Sequence, residues 1–252
     1  MTIQIVANTN VGKVRKNNED NFFVSALNNF PQSHLLVVSD GVGGRDYGEV
    51  ASQTTVDVFK SLIDEHKLDV AFDIGMREAM MEMSARRAHM AIAEKGKQET
   101  KYQGMSCTLI AALIDEEQIG FVNVGDSRLY HFSNNTLTQL SEDQTVAQAL
   151  FKDGRIKAED LRAHPDRNVL QFSLGVEAIN SPLEVQTQIS PWKKGDKILL
   201  CSDGLTDMVA DNEIAVLMGR ETGEELLIQL ITKALTAGGK DNITIAIAEN
   251  NG

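Results

Sequence analysis

The stretch HLLVVSDGVGG, residues 34–44, joins a continuous apolar run to an aspartate and a glycine-rich continuation. An apolar run of this length, bounded by turn residues, is typical of a buried strand. A second stretch, KILLCSDGLTD at residues 197–207, repeats the plan and again reads Ser-Asp-Gly after the apolar residues. Each strand is therefore followed by an aspartate, Asp40 or Asp203, and then by a glycine, which has no side chain.

The order of the apolar patterns along the chain indicates the fold class. Short strands are predicted at residues 3–7, 21–25, 35–39, 183–189, 197–202 and 242–248, with a meander of antiparallel neighbours at 107–140. Helical spacing predicts α-helices within residues 49–66, 76–92, 211–218 and 223–235. Strands grouped together and helices grouped together favour an α+β layered sandwich, because a doubly wound parallel sheet would alternate the two.

The composition is that of an ordinary globular protein with one domain. The 252 residues show no internal repeat and no linker, so we expect a single domain over residues 1–252. No apolar run approaches the ~20 residues that cross a bilayer, and the N-terminus has no signal pattern, so we expect a cytoplasmic protein without membrane contact. A net charge of -12 argues against a nucleic-acid partner.

Aspartates recur where predicted strands meet loops, at Asp20, Asp40, Asp126, Asp203 and Asp241. Any single one is most often a cap or turn residue, because aspartate bonds nearby backbone groups. If the fold brought several together, each pair about 4 Å apart would repel by ~4 kcal/mol at an effective dielectric near 20. A cation must then lie among them, and ligands that are all oxygen suit Mg²⁺ or Mn²⁺ better than zinc.

Other chemistries that glycine, aspartate or cysteine suggest fail on spacing. GVGGRD has Asp46 where the dinucleotide fingerprint needs glycine, and Lys240 is followed by Asp241, which the phosphate-binding P-loop does not allow. The two Asp-Gly pairs lack the intervening Thr or Ser of aspartic proteases, and no Gly-x-Ser-x-Gly elbow occurs. Cys107 and Cys201 lack the arginine that a cysteine-nucleophile phosphatase requires, and both are typical of core thiols. Metal binding is the best-supported chemistry.

With these carboxylates in order, the chain resembles the metal-dependent serine/threonine protein phosphatases of the 2C or PPM family, bacterial type. The matching motifs are VRKNNEDNF at 14–22, VVSDGVGGRDYGEVAS at 37–52, VGDSRLY at 124–130, CSDGLTD at 201–207 and GKDNITIAI at 239–247. The resemblance covers about residues 8–248. It implies a four-layer α-β-β-α sandwich with two central antiparallel sheets, and two or three Mn²⁺ or Mg²⁺ ions in a channel at one edge.

The resemblance also implies a role for each residue of the central metal pair. Asp40 would bridge the two ions, and Gly41 would contribute its backbone carbonyl. Asp203 and Asp241 would complete the shell of one ion, while Asp20 would bind directly or through water. Two cations that share one water lower its pKa towards ~7, so hydroxide becomes available to attack phosphorus without a protein nucleophile.

Further residues of the site follow from the same motifs. Asp126 would bind a third, weaker metal, shared with Asp203. Glu19 and Asn242 would lie behind the ligands, with Glu19 holding water. Arg15 would grip the phosphate, because a planar guanidinium can bind it through two parallel bonds. A lone arginine is ordinarily a solvated surface residue, so the placement of Arg15 four residues before Glu19 carries this assignment.

The sequence departs from the family pattern in two positions. Val42 stands where many members have a histidine that protonates the leaving group, and Gln144 replaces the histidine of an Asp-His-Ser/Thr motif. Residues 151–175 have weak periodicity and many charges, which predicts a helical or irregular excursion over the surface. By resemblance this segment is the variable flap beside the channel.

We expect a monomeric enzyme that hydrolyses phosphoserine and phosphothreonine on proteins and opposes a Ser/Thr kinase. Two alternatives stay open. One is a phosphatase-like binding module without turnover, which retention of all five aspartates disfavours. The other is a metal-dependent phosphohydrolase acting on a small molecule, which an assay of a phosphopeptide beside phosphorylated metabolites would distinguish.

Overall fold

The computed structural model describes residues 2–42, 47–68, 73–176 and 182–252. Its strands are β1 (Ile3–Asn10), β2 (Asn21–Ala26), β3 (His34–Ser39), β4 (Leu109–Ile114), β5 (Gln118–Val124), β6 (Arg128–Ser133), β7 (Thr136–Gln139), β8 (Gln186–Pro191), β9 (Lys197–Cys201) and β10 (Ile243–Asn250). Its α-helices are α1 (Gly48–Asp64), α2 (Ile74–Gln98), α3 (Val146–Lys152), α4 (Asp203–Thr206), α5 (Asp211–Arg220) and α6 (Gly223–Thr236). The residues Gly43, Gly44 and Asp46, on which the glycine-rich loop and the fingerprint comparison depend, lie outside the described residues.

The strands form two antiparallel sheets of five strands each. One sheet has the order β1-β10-β9-β6-β7 and the other β2-β3-β4-β5-β8. The two quoted stretches thus contribute interior strands to different sheets, β3 between β2 and β4, and β9 between β10 and β6.

Alternate side chains of β3 and β9 enter different parts of the core. Leu36 and Val38 pack with Leu200 of the other sheet, between the two sheets. Leu35 and Val37 face the opposite way and pack with residues of α1 and α2. Similarly, β9 turns alternate residues towards α5 and α6. A strand covered on both faces must be apolar at every position, which explains the continuous runs. The result is four layers, α-β-β-α, and the predicted fold class is confirmed.

The predicted meander is wrong at one step. β4 and β5 pair with each other, as do β6 and β7, but β5 and β6 belong to different sheets. The chain crosses between the sheets at residues 125–127, so Asp126 lies in the crossing. Apolar periodicity could not predict this, because both flanking strands are buried whichever sheet they join.

Some element boundaries also differ from the predicted ones. β8 begins at Gln186 rather than Leu183, because its pairing with β5 starts at Asn123 opposite Gln186. Leu183 instead packs against the core as irregular chain. α2 continues to Gln98, beyond the predicted end, through polar residues that carry no apolar period.

The excursion at residues 151–175 returns to the core at its end. A short 3-10 helix spans Ala158–Ala163 on the surface. Leu174, by contrast, is fully buried and exchanges two backbone hydrogen bonds with Cys107, of 3.2 and 2.8 Å. The excursion is therefore tied at its C-terminal end to the chain that leads into β4.

Candidate metal centre

The two Ser-Asp-Gly turns place Asp40 and Asp203 at the same edge of the sandwich. Asp40 follows β3, and its backbone N–H and C=O both bond Thr108, at 3.0 and 2.8 Å. Asp203 begins α4, directly after β9. Both side chains keep part of their surface exposed. Burial within the cleft, followed by repulsion from neighbouring carboxylates, raises the pKa of each well above the usual range of aspartate.

Asp20 is the most enclosed carboxylate of the group. Its Oδ2 accepts hydrogen bonds from Thr244 Oγ1 at 2.6 Å and Ser202 Oγ at 2.8 Å. Its Oδ1 is buried and has no hydrogen-bond partner. Burial raises the pKa of Asp20 to about 6, although the two hydroxyl donors oppose the rise. One oxygen is thus held firmly while the other is available for a ligand.

Asp126 is positioned by the crossing between the sheets. Gly125 adopts a positive φ of 101°, and a Cβ there would meet the Thr108 side chain at 2.8 Å. Gln144 holds this glycine through its Oε1, which accepts the Gly125 N–H at 2.8 Å, and through a 2.9 Å backbone bond. Burial and the charge of Asp143 raise the pKa of Asp126 to about 7. The glutamine that departs from the family pattern therefore braces the turn that carries Asp126.

Asp241 and Arg15 form an ion pair at the open side of the cluster. Arg15 Nη2 donates to Asp241 Oδ2 at 2.7 Å, and both side chains are more than a third exposed. This hydrogen bond is the main cause of the raised pKa of Arg15. The two residues are 226 positions apart. The fold therefore brings the predicted phosphate-binding arginine to a predicted metal ligand.

Asn242 organises the chain segment that leads to Arg15 and Glu19. Its amide nitrogen donates to the carbonyls of Val11 and Asn17, at 2.9 and 3.0 Å, and its Oδ1 accepts the Glu19 N–H at 2.8 Å. Asn242 thus makes three hydrogen bonds to backbone groups and holds the loop in place. The sequence predicted only that Asn242 lies behind the ligands, and did not predict this structural role. Burial and the charge of Glu49 raise the pKa of Glu19.

The glycines after Asp40 and Asp203 are required by backbone packing. A Cβ on Gly41 would lie 2.5 Å from backbone atoms of Gly48, and a Cβ on Gly204 would lie 1.8 Å from the Asn242 carbonyl oxygen. By resemblance, Gly41 would also contribute its backbone carbonyl to a metal. The structure adds that no side chain fits at either position, because another backbone segment passes there.

The donor set fits hard divalent cations. The predicted ligands offer only oxygen, one buried oxygen of Asp20 is without a partner, and the charges of the other four aspartates all act on Asp40. In the described ranges, no group of three acidic, histidine or cysteine residues has metal-ligand spacing. The negative charges are gathered at one edge and lack enough positive charge to balance them, which a pair of divalent ions would supply.

A cavity of about 840 Å³ adjoins Asp126 and Asp203. One wall comes from the surface excursion, where Arg167 Nη2 donates to Asp207 Oδ2 at 2.9 Å and a second bond joins Arg167 Nη1 to Asp207 Oδ1. Asn168 donates to the same carboxylate at 2.8 Å. Sequence reasoning missed this contact, because partners 40 residues apart leave no local pattern.

A four-layer sandwich with a cluster of buried carboxylates and an arginine at one edge defines the class of metal-dependent phosphatases. The sequence profile of the protein phosphatase 2C family matches residues 13–227. This chain belongs to that family and is a metal-dependent serine/threonine protein phosphatase.

Individual relatives agree with this assignment over nearly the whole chain. The serine/threonine phosphatase stp of Listeria welshimeri is 37% identical over 245 residues, which cover 96% of this chain and 94% of the relative. The crystal structure of the Mycobacterium tuberculosis serine/threonine phosphatase PstP/Ppp is 34% identical, covers 100% of both chains and has a TM-score of 0.87. A structure of the PstP catalytic domain in complex with two manganese ions is 32% identical, covers 98% of this chain and 97% of that chain, and has a TM-score of 0.82.

Of the helices in the described ranges, none has both the length and the apolar content that a membrane span requires.

Proposed function

We propose that this phosphatase removes phosphate from serine and threonine of proteins at a centre formed by Asp20, Asp40, Gly41, Asp126, Asp203 and Asp241. The observation that carries the proposal is the unpaired, buried Oδ1 of Asp20 beside carboxylates whose pKa values are raised by burial and mutual repulsion. Divalent cations, when bound, lower the pKa of water and neutralise phosphoryl charge. Mn²⁺ and Mg²⁺ both suit the oxygen donors.

Within this centre the aspartates differ in the contacts that hold them in place. Thr244 and Ser202 orient Asp20, so its free oxygen has one direction. The backbone bonds of Asp40 to Thr108, just before β4, fix that residue at the edge of its sheet. Asp126 is set by Gly125 at the crossing, which packs against the Thr108 side chain that also bonds Asp40. In this proposal two ions bind tightly at the central carboxylates, and a third, weaker one binds at Asp126.

Arg15 binds the substrate phosphate in this proposal. Only one bond of its guanidinium to another residue, that to Asp241, occurs among the described residues, so further donors remain for an anion. The Asp241 carboxylate fixes the guanidinium at the mouth of the site. Asn242 supports the arrangement from behind by clamping the loop on which Arg15 lies. Glu19, adjacent to Asp20, holds water near the ions.

We also propose a domain organisation, a class of partner and a cellular location. Residues 1–252 act as one catalytic domain, with residues 151–175 as a flap beside the channel, and the bonds of Arg167 to Asp207 support a flap that rests on the site. The enzyme works as a monomer in the cytoplasm and opposes a Ser/Thr kinase that supplies its phosphorylated proteins. Light scattering would measure the molar mass in solution, and cell fractionation would measure the cellular location; we expect a monomer in the cytoplasmic fraction.

The test measures phosphate released from a phosphothreonine peptide with and without Mn²⁺, and from a phosphorylated metabolite in parallel. We expect release from the peptide that needs the metal, and little from the metabolite. Asp40→Asn should remove peptide activity, whereas Asp57→Asn, on an exposed face of α1, should not change it. Faster hydrolysis of the metabolite would favour the small-molecule alternative, and equal rates for both variants would move the site elsewhere.

A further inference from the structure

A second cavity, of about 480 Å³, lies at the end of the sandwich opposite the carboxylates. This open cavity is lined by the β2–β3 connection at residues 29–33, by the β4–β5 turn at 115–118, and by Arg77 in the first turn of α2. Ser33 precedes β3 and Asp40 follows it, so a strand of six residues separates this cavity from the metal centre. At ~3.3 Å per residue that distance is about 20 Å.

Arg77 is the unusual residue of this cavity. Its side chain is 5% exposed, yet no ion pair to it occurs within residues 2–42, 47–68, 73–176 and 182–252. Its Nε is buried without a hydrogen-bond partner, and Nη1 has only a long 3.4 Å bond to Ser33 Oγ. A guanidinium has five N–H donors, and a buried charge without a carboxylate is costly. The residue therefore lacks an anionic partner that a ligand could supply.

The surroundings of Arg77 hold its guanidinium in one orientation. The Phe30 ring lies against it, with 4.5 Å between the guanidinium carbon and the ring centroid. The positive end of the long helix α2 is nearby, where the Asp73 side chain caps the Met76 N–H at 2.8 Å. A planar guanidinium fixed on an aromatic face binds a carboxylate through two parallel bonds at its edge.

The rim of the cavity has the opposite charge. Glu116 and Glu117 are exposed on the β4–β5 turn, whereas Asp115 Oδ1 is occupied by the N–H groups of Glu117 and Gln118, at 3.0 and 2.8 Å. The two glutamates thus remain available to a cation that enters the cavity. A simple anion would be attracted by Arg77 but repelled at the rim.

We propose that this cavity binds a small zwitterion, whose carboxylate pairs with Arg77 and whose cationic group lies by Glu116 and Glu117. A free basic amino acid such as lysine has this chemistry, and the cavity volume is within the range of small-molecule sites. The site is separate from the proposed catalytic residues, so it stands or fails independently of the proposed function.

The experiment titrates the full chain with L-lysine and follows backbone amide shifts by NMR. We expect saturable binding with a Kd of about 1 mM, and shifts confined to residues 29–33 and 115–118. Cadaverine lacks the carboxylate and glutarate lacks the cation, so each should bind about tenfold more weakly. The absence of saturable shifts with lysine, or equally tight binding of glutarate, would overturn the proposal.

Variants distinguish a ligand site from a merely structural arginine. Arg77→Met keeps the unbranched apolar stem but removes the guanidinium, and it should weaken lysine binding about tenfold or more. Arg86→Met, on the same helix but exposed and paired with Glu82, should leave binding and phosphatase activity unchanged. Unaltered lysine affinity in Arg77→Met would refute the assignment.

A second variant covers the case in which Arg77→Met does not fold. The double substitution Glu116→Gln and Glu117→Gln changes only exposed side chains. It should weaken binding of lysine and leave binding of glutarate equal or tighter, because rim repulsion is removed. A lysine affinity equal to wild type in this variant would contradict the role of the rim.

Discussion

The two ends of strand β9 carry two aspartates with opposite situations. Asp196, just before the strand, accepts hydrogen bonds from His131 Nε2 at 2.9 Å and from the Lys193 N–H at 3.0 Å. Asp203, just after the strand, is surrounded by other carboxylates, and burial together with their charges raises its pKa well above the usual range. Both residues look alike in sequence, as an aspartate beside an apolar run.

The difference separates an aspartate that stabilises the fold from one that the fold must tolerate. Asp196 accepts hydrogen bonds from donors within the protein, which compensate the cost of burying its carboxylate. Asp203 lacks such compensation because its neighbours Asp126 and Asp241 have the same charge. Uncompensated carboxylates that persist in a folded protein indicate a ligand that completes them.

Removal of the metal should have the largest effect. Chelation should reduce peptide dephosphorylation to less than about a thousandth, because the activated water is lost. Addition of Mn²⁺ should restore activity and raise the melting temperature, since an ion that binds only the folded state stabilises it. Full turnover after exhaustive chelation would remove the distinction between the two ends of β9.

Asp203→Asn should lower kcat by about 10³-fold or more, because a proposed metal ligand is lost. Its stability without metal should equal or exceed that of wild type, since one repelling charge is removed. Asp196→Asn is the matched control and should keep its activity while losing about 1 kcal/mol of stability. The measurements are steady-state kinetics and thermal melts of both proteins; the reverse pattern would exchange the roles of the two aspartates.

Arg15→Ala should lower kcat/KM for a phosphopeptide by roughly ten- to hundredfold, because charge-assisted bonds to an anion contribute ~1.5–3 kcal/mol each. Arg15→Lys should recover only part of the loss, since a point charge cannot supply parallel donors. Metal affinity and the melting temperature serve as controls and should stay near wild type. Three equal values of kcat/KM would make Arg15 a partner of Asp241 alone.

Asp126→Ala should reduce turnover by about tenfold while two metal ions still bind, because its proposed ion lies outside the central pair. Calorimetric titration with Mn²⁺ measures the number and affinity of the sites. Loss of the tightest site in this variant would place Asp126 in the central pair instead.

The smallest expected effect is the pH dependence of stability in the chelated protein. Folded Asp20 and Asp126 have pKa values of about 6 and about 7, raised from 3.8. A carboxylate with a raised pKa stabilises the folded state when it is protonated, so stability should fall as pH rises from about 4 to 7. Thermal melts with chelator should show this fall, and Mn²⁺ should diminish it. Constant melting temperatures across this range without metal would contradict the burial of uncompensated charge.

Much of the proposed site could be derived from the sequence, because its residues lie in short motifs at strand ends. The runs before Asp40 and Asp203 predicted buried strands, and the two strands lie inside the two sheets. Apolar periodicity could not predict which sheet each strand joins. The predicted antiparallel pairing of β5 with β6 was therefore wrong. The contact of Arg167 with Asp207 was likewise invisible, because only the folded excursion brings them together.

The sequence by itself determined the layered α+β class, the aspartates that cluster and the family to which the chain belongs, because local apolar period and motif order are properties of short segments. The tertiary structure decided which aspartates are compensated. Asp196 accepts one bond from the nearby Lys193 N–H and one from His131, which is 65 positions away. Asp203 instead faces Asp126, Asp241 and Asp20, which also come from distant segments. The tertiary structure also buries the charged side chain of Arg77, which no sequence motif indicates. Charge balance depends on distance through the fold, and distance is what a linear pattern does not contain.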